Sequence, residues 1–172
     1  MLWKKRNNIL LRNELVMFLL PSVQNMIRAK KIMANKIYPC LWFDNQAKEA
    51  AEFYCSIFPN SKINSENPMV VVFELNNTKF MGLNGGSQHK FSPATSFVIE
   101  CETQEEIDHY WENLGKNGIY NKCGWLDDKF GVSWQVVPTI FGELMSNPTK
   151  SQRVMEVFMQ MEKFHIEKLK NA

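Results

Sequence analysis

The stretch "GVSWQVVP", residues 131–138, combines the pattern of a β-strand with two side chains that form directed hydrogen bonds. Alternate residues of a strand point to opposite faces, so Ser133 and Gln135 share one face and Trp134 lies on the other. A hydroxyl and an amide can each donate and accept hydrogen bonds. The polar face therefore predicts either a surface that binds a ligand or a buried amide that is paired with neighbouring backbone.

The cysteines and histidines offer little for metal binding or nucleophilic catalysis. The 4 cysteines are widely spaced and form no CxxC pair, and the 3 histidines form no HxH or HExxH motif. This spacing argues against a zinc clip and is typical of reduced thiols in a cytoplasmic protein. A metal site would have to be assembled from distant segments, and these patterns identify no catalytic residue.

The composition indicates one ordinary domain with its own core. The chain has 172 residues, of which 45% are hydrophobic. Its net charge of +2, with 22% charged residues, gives no basic footprint for nucleic acid. The apolar run at residues 15–20 is far shorter than the roughly 20 residues that a membrane-spanning helix needs. We therefore expect neither a nucleic-acid partner nor a membrane partner.

Residues 1–32 differ in character from the rest of the chain. They are basic and share no pattern with the later segments, whereas Met33 precedes a small residue and then a strand-like segment. A signal peptide fits poorly, because no small-residue cleavage site clearly follows the apolar run. We interpret residues 1–32 as an extension outside the domain and residues 33–172 as the domain itself.

The elements of a first module come after this extension. "KIYPCLWFD" predicts a strand, and "QAKEAAEFYCSIF" predicts a helix with apolar residues at helical spacing. Asp44 or Asn45 is the expected N-cap of that helix. "MVVVFEL" and "KFMGLN" then predict a hairpin that turns at Asn76 and Asn77.

The same order of elements then restarts. "ATSFVIECE" predicts a strand, and "TQEEIDHYWENLGKNG" predicts a helix whose capping box joins Thr103 to Glu106. "KCGWLDDKFGVSWQVVP" predicts a second hairpin, which turns at residues 127–129. The repeat of strand, helix and hairpin predicts an α+β fold built from two modules of the same polarity.

The C-terminal segment after residue 138 is expected to be helical. Pro148 should break it into a short helix and a long one, and the long one is rich in methionine. Such a stripe usually packs against the body of the protein or against a second subunit, and only seldom forms a ligand groove.

Four motifs in order resemble one known group of proteins. They are "LWFDNQAKEAAEFYCSIFPNSKI", "KFMGLNGG", "SFVIECETQEEIDHYWENL" and "CGWLDDKFGVSWQVVP". Together they are similar to the PhnB-like branch of the vicinal oxygen chelate superfamily, which includes glyoxalases and bleomycin-resistance proteins. The resemblance extends over about residues 36–165. It implies paired βαβββ modules around a cavity, a small-molecule ligand, a homodimer, and the family label 3-demethylubiquinone-9 3-methyltransferase.

The resemblance also implies where metal ligands would stand. Enzymes of the superfamily hold a divalent ion with four inward-facing His or Glu residues, one on each of four strands. The matching positions here are Pro39, Gly82 or Asn84, Ser96 and Gln135. These neutral groups cannot offset the hydration that a divalent ion loses. We therefore expect no metal and no cofactor.

A ligand site without a metal is the resulting hypothesis. Its predicted residues are Pro39, Asn84, Ser96, Ser133 and Gln135. For Gln135, ligand binding and a structural role are equally supported, whereas a structural role is favoured for Ser96 and Asn84. Trp134 is expected in the core, and Glu100 is either a base at the mouth of the cavity or a solvated strand end.

Three functions remain open from the sequence. The first is a small-molecule-binding protein without a metal, and the second is an enzyme of the same superfamily acting on an unidentified substrate. The third is the methyltransferase of the family label, although no glycine-rich strand-to-helix turn for its cofactor is present. A purely structural interaction protein would instead have a filled cavity.

Overall fold

Two copies of one strand–helix–three-strand pattern dominate the chain. The structure is a computed structural model that describes residues 37–172. The predictions for residues 1–32 and for a domain start at Met33 lie outside the described residues. The two-module α+β fold predicted from the sequence is confirmed.

The first module forms a four-stranded sheet with one helix. Its elements are β1 (Cys40–Phe43), α1 (Ala47–Ile57), β2 (Lys62–Glu66), β3 (Val70–Leu75) and β4 (Thr78–Asn84). The strand order is β1-β4-β3-β2, with β1 parallel to β4 and the other pairs antiparallel. The sequence analysis missed β2, which is mostly polar and exposed.

The second module repeats this topology. Its elements are β5 (Ser96–Cys101), α2 (Gln104–Gly115), β6 (Ile119–Tyr120), β7 (Trp125–Asp127) and β8 (Ser133–Pro138). The strand order is β5-β8-β7-β6, and β5 runs parallel to β8. In the described chain β1 and β5 are therefore edge strands, each at the end of its own sheet.

Three short helices complete the described chain. They are α3 (Ile140–Ser146), α4 (Ser151–Phe158) and α5 (Ile166–Lys170). The break near Pro148 is confirmed, but the prediction of one long helix after it is wrong, because residues 159–165 are not helical. The segment packs on the body, as expected, since the side chains of Val154, Phe164 and Leu169 are fully buried.

Local sequence signals explain several of the turns and helix ends. Asn76 and Asn77 have φ values of 46° and 63°, the left-handed conformation that a two-residue hairpin turn requires. The capping box between Thr103 and Glu106 is present. The prediction for the start of α1 is wrong: Gln46 is the N-cap, and its side chain forms no capping bond.

The helix of each module covers one face of its sheet. In the first module, Leu41, Val71 and Phe73 are buried on the face that packs against α1. Gly82 lies on that face too, because a Cβ there would stand 3.1 Å from the Cβ of Ala47. We call the opposite face of each sheet its far face. The far faces carry half-buried or exposed residues in both modules.

Buried aromatic side chains and one carboxylate join the two modules. Tyr54 of α1 lies 5.5 Å from Trp134 of β8, centroid to centroid, and both side chains are buried. The Tyr54 hydroxyl and the Trp134 indole each donate a hydrogen bond to Asp128. The α1 face of the first module therefore meets the second module through a small polar network inside an apolar core.

Candidate functional site

The far face of the second sheet carries a hydrogen-bonded pair of neutral polar side chains. Gln135 Nε2 donates to Ser96 Oγ at 2.8 Å. The parallel register of β5 and β8 pairs Ser96 with Ser133 and Val98 with Gln135, so these four residues share one face. Both members of the pair are half-buried. The structure therefore brings together two of the five site residues that the sequence predicts.

Apolar side chains surround this pair. Trp125 and Val137 are half-buried on the same face, and Val98 is 57% exposed. Glu100 lies at the end of β5 with an exposed side chain. Among residues 37–172 its carboxylate has no hydrogen-bond or ion-pair partner. The surface thus offers a neutral hydrogen-bonding centre with apolar surroundings, which suits an uncharged organic group.

Ser133 lies next to the Gln135–Ser96 pair, but its hydroxyl is already hydrogen-bonded to the neighbouring strand. Its side chain is 1% exposed, and its hydroxyl donates to the Asp127 carboxylate on the neighbouring strand β7. Asn121 donates to the other oxygen of Asp127 at 3.1 Å. Buried and already bonded, the Ser133 hydroxyl is poorly placed to bind a ligand.

Asn84 holds the start of α1. Its Oδ1 accepts a hydrogen bond from the Ala47 backbone N–H at 2.9 Å, and its Nδ2 donates to the Pro68 carbonyl at 2.9 Å. The side chain therefore replaces the missing N-cap bond of the helix, since one of the unpaired N–H groups of its first turn is satisfied by Asn84. Asn84 has a structural role that its position in the sequence does not reveal.

Pro39 lies in the first sheet, directly before β1. Its carbonyl accepts a hydrogen bond from the Met81 N–H at 3.0 Å, and its side chain is half-buried. In the described part of the chain no hydrogen bond joins Pro39 to Ser96 or Gln135. The expectation that Pro39 lies near Ser96 and Gln135 in one cavity stays a prediction.

The side chains at the positions where the resemblance implies metal ligands carry no charge. Gly82 packs against α1, Asn84 is bonded to backbone, and the remaining pair is a hydroxyl and an amide. Zinc, nickel and manganese need carboxylate, imidazole or thiolate ligands to offset the loss of their water. Within residues 37–172 no group of three His, Cys, Asp or Glu side chains is arranged to hold a metal.

The cysteines have structural surroundings. All four are free thiols. Burial, with a smaller contribution from the charge of Glu106, raises the pKa of Cys101 to about 12. Burial also raises the pKa of Cys40 and of Cys55. Because the thiolate is the reactive form, these three groups are poor nucleophiles at neutral pH.

Asp128 is the buried polar residue that sequence reasoning missed. Its side chain is 3% exposed, and its two oxygens accept four hydrogen bonds. The donors are Tyr54 Oη at 2.7 Å, Trp134 Nε1 at 2.9 Å, and the backbone N–H groups of Phe130 and Val132 at 2.8 and 3.0 Å. Burial raises the pKa of Asp128, and these hydrogen bonds oppose that shift. The group stabilises the contact between modules and lies on the α2 side of the sheet, away from Gln135.

The paired βαβββ modules define a protein of the vicinal oxygen chelate, or glyoxalase-like, fold. Residues 35–137 match the model of the family described as 3-demethylubiquinone-9 3-methyltransferase. The chain belongs to this family. A search of the curated proteins finds no match.

Solved structures support the same assignment. The PhnB protein of Bacillus cereus is 33% identical, with a TM-score of 0.55, and the match covers 61% of this chain and 100% of that one. Protein PA1353 of Pseudomonas aeruginosa is 17% identical, with a TM-score of 0.51 over 61% and 98% of the two chains. The fosfomycin resistance protein FosX of Listeria monocytogenes, solved with Mn(II) and sulfate, is 13% identical, with a TM-score of 0.51 over 66% and 97%. The last two likenesses show the fold alone.

The helices of the described chain are short. None within residues 37–172 is both long and apolar enough to cross a membrane.

Proposed function

We propose that this protein binds a small organic molecule at the far face of its second sheet, without a metal ion. The observation that carries the proposal is the hydrogen bond between Gln135 and Ser96 at the place where the superfamily holds metal ligands. The pair is accessible, neutral and surrounded by apolar side chains. It is therefore suited to orienting a ligand by hydrogen bonds while apolar contact contributes most of the affinity.

The pair retains unused hydrogen-bonding capacity. Gln135 uses one of its two N–H groups for Ser96, and in the described chain its Oε1 accepts no hydrogen bond. The Ser96 hydroxyl accepts that bond and has no acceptor of its own among residues 37–172. A ligand can therefore meet one acceptor and two donors within this small area.

A metal-dependent reaction is a poor fit for these residues. FosX was solved with Mn(II), but its 13% identity does not transfer that ion to this chain. The corresponding groups here carry no charge, so the attraction that offsets dehydration of an ion is missing. We propose ligand binding, in a sequestering or sensing role, as the function of this branch member.

We further propose that the protein is a homodimer and that the domain begins near Met33. The far face of the first sheet carries half-buried apolar residues, namely Trp42, Val70, Val72, Met81 and Leu83. In the described chain neither far face is covered by the other sheet. A second copy would bring the far face of the first sheet of one chain toward Gln135 of the other and so close the cavity. Light scattering at micromolar concentrations tests this proposal, and a sharp monomer mass would contradict it.

Mass spectrometry of small molecules that co-purify with the native protein tests the proposed function. We expect an organic ligand in wild-type protein, reduced occupancy in Gln135→Ala, and unchanged occupancy in Gln160→Ala, which makes the same change at an exposed residue. We expect neither stoichiometric metal nor binding of added S-adenosylmethionine. Stoichiometric zinc, nickel or manganese that is lost in Gln135→Ala would contradict the proposal, and tight S-adenosylmethionine binding would favour the methyltransferase of the family name.

A further inference from the structure

A second concave site lies beside the edge strand β5, and its floor is on the face of the second sheet opposite to Gln135. It is a groove of about 790 Å³ between the β3–β4 hairpin, strand β5 and helix α2. Its volume is in the range of about 300–1,000 Å³ that small-molecule sites occupy. Phe97 and Trp134 line the groove, and by alternation along their strands they point to the face opposite to Ser96 and Gln135. Neither Ser96 nor Gln135 lines the groove, although its rim continues around the edge strand β5 to Val98 and Glu100, which lie on the same face as Ser96.

Five aromatic rings form a continuous wall of this groove. Their centroids follow one another at 5.4 Å from Phe80 to Phe97, 5.3 Å to Trp134, 5.4 Å to Phe58 and 5.1 Å to Tyr110. Trp134 and Phe80 are nearly fully buried and form the floor, while Phe58, Phe97 and Tyr110 are half-buried. Aromatic faces are negative, so a wall of this kind attracts cations as well as apolar groups.

One charged side chain among the described residues, Glu100, lies at the rim of the groove. Glu100 lines the groove, is exposed, and has no ion-pair or hydrogen-bond partner within residues 37–172. Lys79, next to Phe80 in β4, does not line the groove. Glu100 thus places one negative charge at the rim of an aromatic groove.

The Tyr110 hydroxyl adds one hydrogen-bonding group to the lining of the groove. It forms no hydrogen bond with any described residue, although its ring packs on Phe58 and His109. Burial raises the pKa of Tyr110 above its ordinary value, with smaller contributions from the charges of Cys101 and Glu106. The phenol therefore remains protonated at neutral pH and can donate to a ligand.

We propose that this groove binds an organic cation with an aromatic or other apolar body, its positive charge lying between Glu100 and the aromatic wall. The aromatic rings contact the apolar body and the positive charge, and the Glu100 carboxylate repels anions of the same shape. Gln135 and Ser96, which carry the ligand site proposed above, do not line this groove.

Two probes of matched shape and opposite charge test the proposal. Isothermal titration of wild-type protein with tetraphenylphosphonium and with tetraphenylborate should give saturable binding of the cation and much weaker binding of the anion. Because the charge lies at an exposed rim, affinity for the cation should fall as salt rises. Equal affinity for the two ions, or no saturable binding of the cation, would overturn the proposal.

Variants locate the bound cation. Glu100→Gln should weaken cation binding about two- to fivefold, the range of an exposed ion pair. Tyr110→Leu should weaken it by about the same factor through loss of one aromatic face. Glu143→Gln makes the matched change at an exposed residue of α3 that has no partner among residues 37–172, and it should leave binding unchanged.

Two further controls separate this site from other occupants. Gln135→Ala should not alter cation affinity, so loss of binding in that variant would assign the cation to the far-face site and overturn the proposal. Added cation should leave the oligomeric mass unchanged in light scattering. Dissociation of an oligomer in proportion to binding would show that a second copy of the chain occupies the groove instead.

Discussion

The hydroxyl of Tyr54 donates a 2.7 Å hydrogen bond to the carboxylate of Asp128, 74 residues further along the chain. Tyr54 lies on the helix of the first module and Asp128 in the hairpin loop of the second. The bond is buried and joins two apolar surfaces at a point where both partners lack solvent. It therefore fixes the relative placement of the modules more specifically than aromatic packing alone.

Asp128→Asn should destabilise the protein although it removes a buried charge. The carboxylate accepts two bonds on each oxygen, whereas an amide nitrogen accepts none, so two of the four donors lose their acceptor. Each buried donor left without a partner costs about 1–3 kcal/mol. Urea unfolding should show a loss in that range or above, and Tyr54→Phe, which removes one donor only, should cost less. An unchanged midpoint for Asp128→Asn would contradict this assignment.

The contributions of Asp128 and Asp108 to folding stability should change with pH in opposite directions. Burial raises the pKa of Asp128 above its ordinary 3.8, so its contribution to stability is greatest below pH 3.8 and is lost as pH rises through the folded value. Hydrogen bonds from Lys163 and Gln104 lower the pKa of Asp108, so its contribution is present above 3.8 and is lost as pH falls through the folded value.

Unfolding at a series of pH values measures both effects. The stability difference between wild type and Asp128→Asn should shrink from pH 3 to pH 7 on this account, whereas that for Asp108→Asn should grow. The comparison is internal, because every other group titrates alike in the three proteins. Parallel curves for the two variants would refute the assigned directions.

Gln135→Glu alone should not create strong metal binding. The new carboxylate would have one hydroxyl beside it, while Gly82 packs on α1 and Asn84 is held by backbone. One anionic ligand does not offset the dehydration of a divalent ion. Zinc titration followed by calorimetry should detect no tight site, and a stoichiometric site in this variant would show that other ligands are within reach.

Deletion of residues 1–32 should leave the fold and its stability nearly unchanged. The first described element begins at Cys40, and residues Pro39–Ala172 form one compact unit. Thermal unfolding of the shortened chain should give a melting temperature within a few degrees of the full chain, since about 1 kcal/mol shifts it by roughly 2–8 °C for domains of this size. A larger drop would show that the segment contributes to the core.

The features that the sequence predicted correctly depend on near neighbours. The Asn76–Asn77 turn and the Thr103–Glu106 capping box involve residues at most three positions apart, and alternation alone places Trp134 in the core. The doubled order of elements then predicts the two modules. Strand β2 was missed because only Ile63 of its five residues is apolar, so its pattern does not differ from that of a loop.

The features that the sequence did not reveal depend on distant partners. Asp128 looks like an ordinary turn residue between Asp127 and Lys129, and only the packing of α1 against the loop makes it a buried acceptor. Asn84 looks like a residue before a glycine turn, but it bonds Ala47, 37 positions away. The nearness of Gln135 to Ser96 was implied by the family resemblance, whereas the hydrogen bond itself follows from the register of two parallel strands, which alternation within each strand does not determine.

The position of Asn84 restricts how a protein of this branch could evolve toward metal-dependent chemistry. A histidine or glutamate there would gain a ligand atom but would release the Ala47 N–H and the Pro68 carbonyl that Asn84 now holds. A single substitution would therefore remove one hydrogen bond from the first turn of α1 and another from the loop before β3. Relatives that acquire a metal ligand at this position should therefore carry a compensating cap, with Ser, Thr or Asp at the residue that corresponds to Asn45 or Gln46.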